Sequence, residues 1–303
     1  MKKINGFIGA PFTPMNQDRS LNLELIQDYV KFYLRNRIDG AFICGTSGEG
    51  YLLSVDERMK VAEKWLAESP DNFKTIIHVG GPGVEEGKKL VRHAQEIGAW
   101  GFCTMAPVFF KPSRVQDLVE YCEALAGEAP DLPFYFYHMP GFTGVYLPMV
   151  EFLNQASKRI PNLAGIKYTH EKLYEFNQCM LVENGKFDIL HGQDETLICG
   201  LALGARGGIG GTYNHAMKLY INIKQAFLDG DIETARKFQN LSQDFINVLV
   251  RYRGNVIGGK RIMKFLGLDC GPNRLPIQNI TNQEETDLKR ELEEINFFSF
   301  CNR

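Results

Sequence analysis

No stretch of this 303-residue chain approaches the roughly 20 consecutive apolar residues of a membrane-spanning helix, which argues against a membrane protein built from helices. Basic stripes are missing too. The 34 Lys/Arg and 36 Asp/Glu are scattered to a net charge of −2, leaving no surface suited to a run of phosphates, so no nucleic-acid partner is expected. Cys44, Cys103, Cys122, Cys179, Cys199, Cys270 and Cys301 are odd in number and widely spaced. They form no C-x-x-C pair and no Cys/His cluster with zinc-like spacing, which predicts free thiols, no metal and a reducing compartment. The opening MKKINGFIGAPFTP lacks the apolar core of a signal peptide. A cytoplasmic protein that handles small molecules is the expectation.

What is present is a rhythm. Eight short β-branched or aromatic runs begin at Gly6, Gly40, Lys74, Gly101, Pro133, Leu163, Phe187 and Arg206. Amphipathic segments such as LELIQDYVKFYLRN and VEEGKKLVRHAQEIG lie between them, apolar at every third or fourth position. Eight strand–helix units in series predict an α/β fold, a closed (β/α)8 TIM barrel over residues 1–230. An open doubly wound sheet is the alternative, but no G-x-G-x-x-G opens the first helix. From Asp231 the strand signal stops, and residues 231–303 read as a C-terminal helical extension packed on the barrel, with no linker before it.

Barrels of this kind place their chemistry at the carboxyl ends of the strands. In GIKYT, alternation puts Gly165, Lys167 and Thr169 on one face and Ile166 and Tyr168 on the other. If the latter pair faces the helices, Lys167 enters the barrel, where a neutral amine can attack a ketone. On position alone it equally fits a lysine that snorkels to solvent or pairs with a carboxylate. Tyr135, Tyr137 and Met139 also share a face, and a phenol there suits general acid–base work as well as it suits ordinary core packing. In CGTSGEG, Thr46 and Ser47 sit in a tight turn that either receives an anion or merely caps the next helix, and Glu49 reads as a structural carboxylate. GARGGIGGTYN is either a phosphate loop or close backbone packing. HGQDET sets Asp194 and Glu195 at the end of the seventh strand, either for sugar hydroxyls or as a solvated turn.

Together, G-T-S-G-E, Y-H-M-P-G-F-T-G, G-I-K-Y-T and G-G-I-G-G-T-Y-N, in that order and spread over nearly the whole chain, resemble the superfamily of N-acetylneuraminate lyases and dihydrodipicolinate synthases. The resemblance implies a carbon–carbon lyase that needs no cofactor, because Lys167 itself forms an imine with pyruvate or a 2-keto acid. Tyr137 would relay protons, and Thr46 and Ser47 would hold the pyruvate carboxylate. It also implies a homotetramer, a dimer of dimers. YHMPGFTGV, HGQDE and IGGTYN resemble the sialic-acid lyases in particular, so that Gly192, Asp194 and Glu195 would meet the glycerol-like tail of the sugar acid. Thr169, Gly210 and Gly211 complete the expected substrate-binding set.

Four positions depart from the pattern of one subfamily or the other. Phe142 stands where the synthases carry an arginine for a second carboxylate, which disfavours that activity. Gly211 stands where sialic-acid lyases commonly have a serine. Phe109 and Phe110 stand where the family often places a tyrosine pair that reaches a neighbouring subunit. The reading that follows is a class I aldolase for N-acetylneuraminate. Its rivals are an aldolase or dehydratase for another 2-keto-3-deoxy sugar acid, and a sugar-acid-binding barrel without catalysis.

Overall fold

The computed structural model describes residues 3–303. All eight apolar runs form strands: β1 (Phe7–Gly9), β2 (Gly40–Ile43), β3 (Lys74–His78), β4 (Gly101–Met105), β5 (Phe134–His138), β6 (Leu163–Tyr168), β7 (Asp188–His191) and β8 (Gly208–Gly210). Each pairs in parallel with the next and β8 returns to β1, closing the barrel. The runs read as almost continuously apolar because both faces of every strand are covered. Ile8, Phe42, Ile76, Cys103, Tyr135, Leu190 and Ile209 fill the interior. Phe7, Ile43, Ile77, Phe102, Phe136, Ile166 and Ile189 point outward into the core beneath the helices.

That outer layer comprises α1 (Leu25–Arg35), α2 (Val55–Glu68), α3 (Val84–Glu96), α4 (Val115–Ala126), the single turn α5 (Pro140–Thr143), α6 (Met149–Ala156), α7 (Leu173–Leu181), α8 (Leu197–Ala202) and α9 (Tyr213–Leu228). Ser54 caps α2 with a reciprocal capping box: its hydroxyl accepts from Glu57 N–H while the Glu57 carboxylate accepts from Ser54 N–H. Beyond Asp231 come α10 (Ile232–Arg251), a π-helical turn at Asn255–Gly259, α11 (Lys260–Phe265) and α12 (Asn282–Glu294). The extension has a small core of its own, with Phe245, Val248, Leu249, Leu288 and Phe297 packed against Ala216 and Leu219 of α9. No helix among the described residues is long and apolar enough to cross a membrane. All seven cysteines are free, five of them buried.

Candidate active site

Ile166 and Tyr168 do face the outer core, so Lys167 turns inward from β6. Its Nζ sits 4.2 Å from the centre of the Phe42 ring and 4.0 Å from that of Tyr137, with the residue only 5% exposed. No carboxylate among the described residues forms an ion pair with it. The alternatives of a snorkelling or ion-paired side chain are therefore not what the fold adopts. Tyr137 lies beside Lys167 in the β5–β6 register. Its hydroxyl donates to the Met139 thioether at 2.9 Å, a weak acceptor that leaves the phenol available for stronger partners. Tyr135 behaves differently, donating to Asp188 Oδ2 at 3.0 Å deeper in the barrel, and takes no part in the cavity. His78 also lies inside, with both ring nitrogens unpartnered among the described residues. Burial foremost, then the charges of Arg58 and Lys167, push its titration well below the usual histidine range, so it adds no positive charge beside the lysine.

The loop after β2 turns through two left-handed residues, Cys44 (φ 55°) and Glu49 (φ 54°). Gly50 is required there, because a Cβ would lie 1.8 Å from the Cys44 carbonyl oxygen. Non-glycine residues in this conformation cost about 1–3 kcal/mol unless their surroundings hold them. Glu49 is held. Its Oε1 accepts from Lys260 Nζ at 2.7 Å and from Asn273 Nδ2 at 3.1 Å, and its Oε2 accepts from Arg274 N–H at 2.7 Å. The carboxylate thus clips the loop to the C-terminal extension. The clip presents Thr46 and Ser47 to the cavity, and among the described residues neither backbone N–H donates to a backbone carbonyl.

Across the cavity, Asp194 lies in the turn after β7 and is buried. Its Oδ2 accepts from Thr212 N–H at 2.8 Å and from the Thr212 hydroxyl at 2.6 Å, and its Oδ1 has no protein partner among the described residues. Burial pushes the carboxyl up to about 6, the Thr212 hydrogen bonds restraining the rise. Gly210 makes the approach possible, since a Cβ there would come within 2.1 Å of Asp194 Oδ1. The Thr169 hydroxyl is likewise buried without a partner among the described residues. Gly192 and Glu195 complete this side of the wall.

One cavity of about 330 Å³ at the carboxyl ends of the strands brings together Thr46, Ser47, Tyr137, Lys167, Thr169, Gly192, Asp194, Glu195 and Gly211. Gly210 stands just behind Asp194. Phe142 is at the mouth, 73% exposed. Phe109 and Phe110 are outside the lining, 83% and 84% exposed and stacked edge to face at 4.9 Å. The sequence reading missed the wall contributed by the extension, where Ile246, Leu249, Val250, Arg253, Asn255 and Val256 close one side. Nothing local marks those residues, because α10 reads simply as amphipathic. Among the described residues no three His, Cys, Asp or Glu side chains form a group suited to a metal ion.

Known proteins resemble the chain over nearly its whole length. Residues 3–295 match the model of the dihydrodipicolinate synthetase family. An N-acetylneuraminate lyase of Rattus norvegicus is 36% identical over 99% of this chain and 95% of its own length. Among solved structures, an N-acetylneuraminate lyase of Proteus mirabilis superposes with a TM-score of 0.95 at 40% identity, covering 98% of this chain and 100% of its own. A sialic acid aldolase of Aliivibrio salmonicida gives the same TM-score at 38% identity, covering 98% of each chain.

Proposed function

Because the chain belongs to the dihydrodipicolinate synthetase family, we propose that it is a class I aldolase that reversibly cleaves N-acetylneuraminate to N-acetylmannosamine and pyruvate. The observation that carries this reading is Lys167, a buried amine with no anionic partner, between a pair of hydroxyl residues and a wall of sugar-matching polar groups.

The neutral Lys167 amine adds to the keto carbon of the open-chain substrate, and loss of water leaves a protonated imine. The Thr46–Ser47 turn receives the substrate carboxylate through its hydroxyls and free amides, which sets the keto carbon against Nζ. Tyr137, beside the substrate's own carboxylate, takes the proton from the hydroxyl on carbon 4. The electrons of the bond between carbons 3 and 4 pass into the imine, giving an enamine and releasing the aldehyde sugar. Protonation at carbon 3 and addition of water then return pyruvate and free lysine. The imine is the electron sink, so the cycle calls on no metal or organic cofactor. Thr169, Gly192, Asp194, Glu195, Gly210 and Gly211 form the side that faces the sugar tail.

The exposed aromatic pair Phe109–Phe110 after β4 supports assembly with further copies of the chain, and a homotetramer is the arrangement we favour. Unpaired thiols suit a reducing compartment, in keeping with a cytoplasmic enzyme.

The direct test is pyruvate release from N-acetylneuraminate, with other 2-keto-3-deoxy sugar acids assayed in parallel. Selective release from the sialic acid is expected. Silence there with release from a shorter acid would leave the Lys167 chemistry intact and assign the protein to a sister aldolase; silence with every acid would end the aldolase reading.

A further inference from the structure

Gly211 follows β8 directly, and its missing side chain leaves a space that is already taken. A Cβ built there would lie 2.5 Å from Asn255 Nδ2 and 3.4 Å from Ser47 Oγ. Asn255 comes from the other part of the molecule, the start of the π-helical turn at Asn255–Gly259, which follows the left-handed pair Arg253 (φ 63°) and Gly254 (φ 76°). Single π turns recur at functional sites because the extra residue re-aims a side chain. Here the re-aimed group is an amide that lines the cavity and donates from Nδ2 to Ser47 Oγ at 3.0 Å. Its Oδ1 stays buried with no partner among the described residues, a cost that needs a reason.

We propose that Asn255 is a positioning residue of the carboxylate pocket, and that glycine at 211 is the space it requires. A hydroxyl has one proton and two lone pairs. With one lone pair engaged by the Asn255 amide, the Ser47 O–H is turned from its neighbours and aimed as a donor at the incoming carboxylate. A side chain at 211 would displace the Asn255 amide from its present place, so a polar group is held beside Ser47 either from β8 or from the extension. The inference rests on Ser47 binding the 2-keto acid carboxylate, and so deepens the reading given above.

The test is borohydride trapping of the pyruvate imine across a range of pyruvate concentrations, alongside turnover of N-acetylneuraminate and thermal melting. Four proteins are compared: the wild type, Asn255→Gly, Gly211→Ser, and the double variant. Loss of one aimed hydrogen bond should raise the half-trapping concentration of Asn255→Gly roughly tenfold, with kcat within about threefold and an unchanged melting temperature. Gly211→Ser alone should be impaired at least as much, because the new side chain collides with the amide. The double variant should recover to within about threefold of wild type. Wild-type half-trapping in a folded Asn255→Gly protein overturns the positioning role. A double variant no better than the worse single overturns the exclusion, even where Gly211→Ser alone fails to fold. A wild-type protein that traps no pyruvate overturns the aldolase reading itself, and is told apart from the other outcomes by that blank.

Discussion

Among the described residues two lysines are buried, and they lead opposite lives. Lys260 at the start of α11 is closed into an ion pair, with Glu49 at 2.7 Å and the Pro272 carbonyl at 2.9 Å, and both members of the pair are almost completely shielded from solvent. Lys167 has only ring faces on either side. Burial alone therefore does not make a lysine a nucleophile. A buried cation with a carboxylate of its own is a structural fixture whose removal leaves the partner charge stranded. One with no carboxylate against it leaves no partner charge stranded when its nitrogen bonds carbon.

The largest effect that would test this contrast is loss of the reactive amine. Lys167→Met should lower turnover on the order of 10⁴–10⁶-fold and abolish the borohydride-trapped pyruvate adduct. It should also leave the urea midpoint nearly unmoved, because no partner is orphaned. Next comes Tyr137→Phe, which keeps the ring against Nζ and removes only the hydroxyl. The adduct should persist while the carbon–carbon step slows by about 10²–10⁴-fold in single-turnover measurements. A normal rate in this variant would confine Tyr137 to packing.

Lys260→Met is the counterpart of the first substitution and should behave in reverse. Stranding the Glu49 carboxylate should cost about 3–5 kcal/mol in urea unfolding. If Lys167→Met and Lys260→Met destabilise the fold equally, the distinction between the two lysines collapses. The smallest effect concerns the far wall. An Asp194 carboxyl near 6 is a charged acceptor above that pH and a protonated one below it, so binding that depends on the charge is lost as pH falls through 6. At pH 5 a fully dependent kcat/KM for the sugar acid is down about tenfold, and Asp194→Asn should erase that limb. Pyruvate adduct formation, which needs no sugar contact, should keep its profile.

Much of this architecture is legible in the chain itself. The eight runs are visible because a parallel barrel buries both faces of its strands, whereas alternation sets Lys167 opposite Ile166 and Tyr168 without deciding whether it turns into the barrel or out to solvent. Alternation could not separate Tyr135 from Tyr137, since both point inward. What divides them is height in the barrel, and so whether Asp188 or the cavity lies in front. The short helices α7 and α8 carry too few turns to show a clear periodic face. The Glu49–Lys260 pair spans 211 positions, and the Asn255–Ser47 contact spans 208. No local pattern announces a partner so far along the chain, and Ile246, Leu249 and Val250 of α10 look like ordinary helix-packing residues until the barrel mouth is placed beside them.

The clip between Glu49 and the extension also sets a timetable for biosynthesis. A ribosome finishes all eight strands before it reaches Lys260, Asn273 and Arg274, and domains can begin to fold while synthesis continues. A nascent barrel therefore has its lysine before it has the anchors that hold the left-handed turn at Glu49. The reactive amine is made early, but the grip on its substrate is completed only when the tail has been translated and docked.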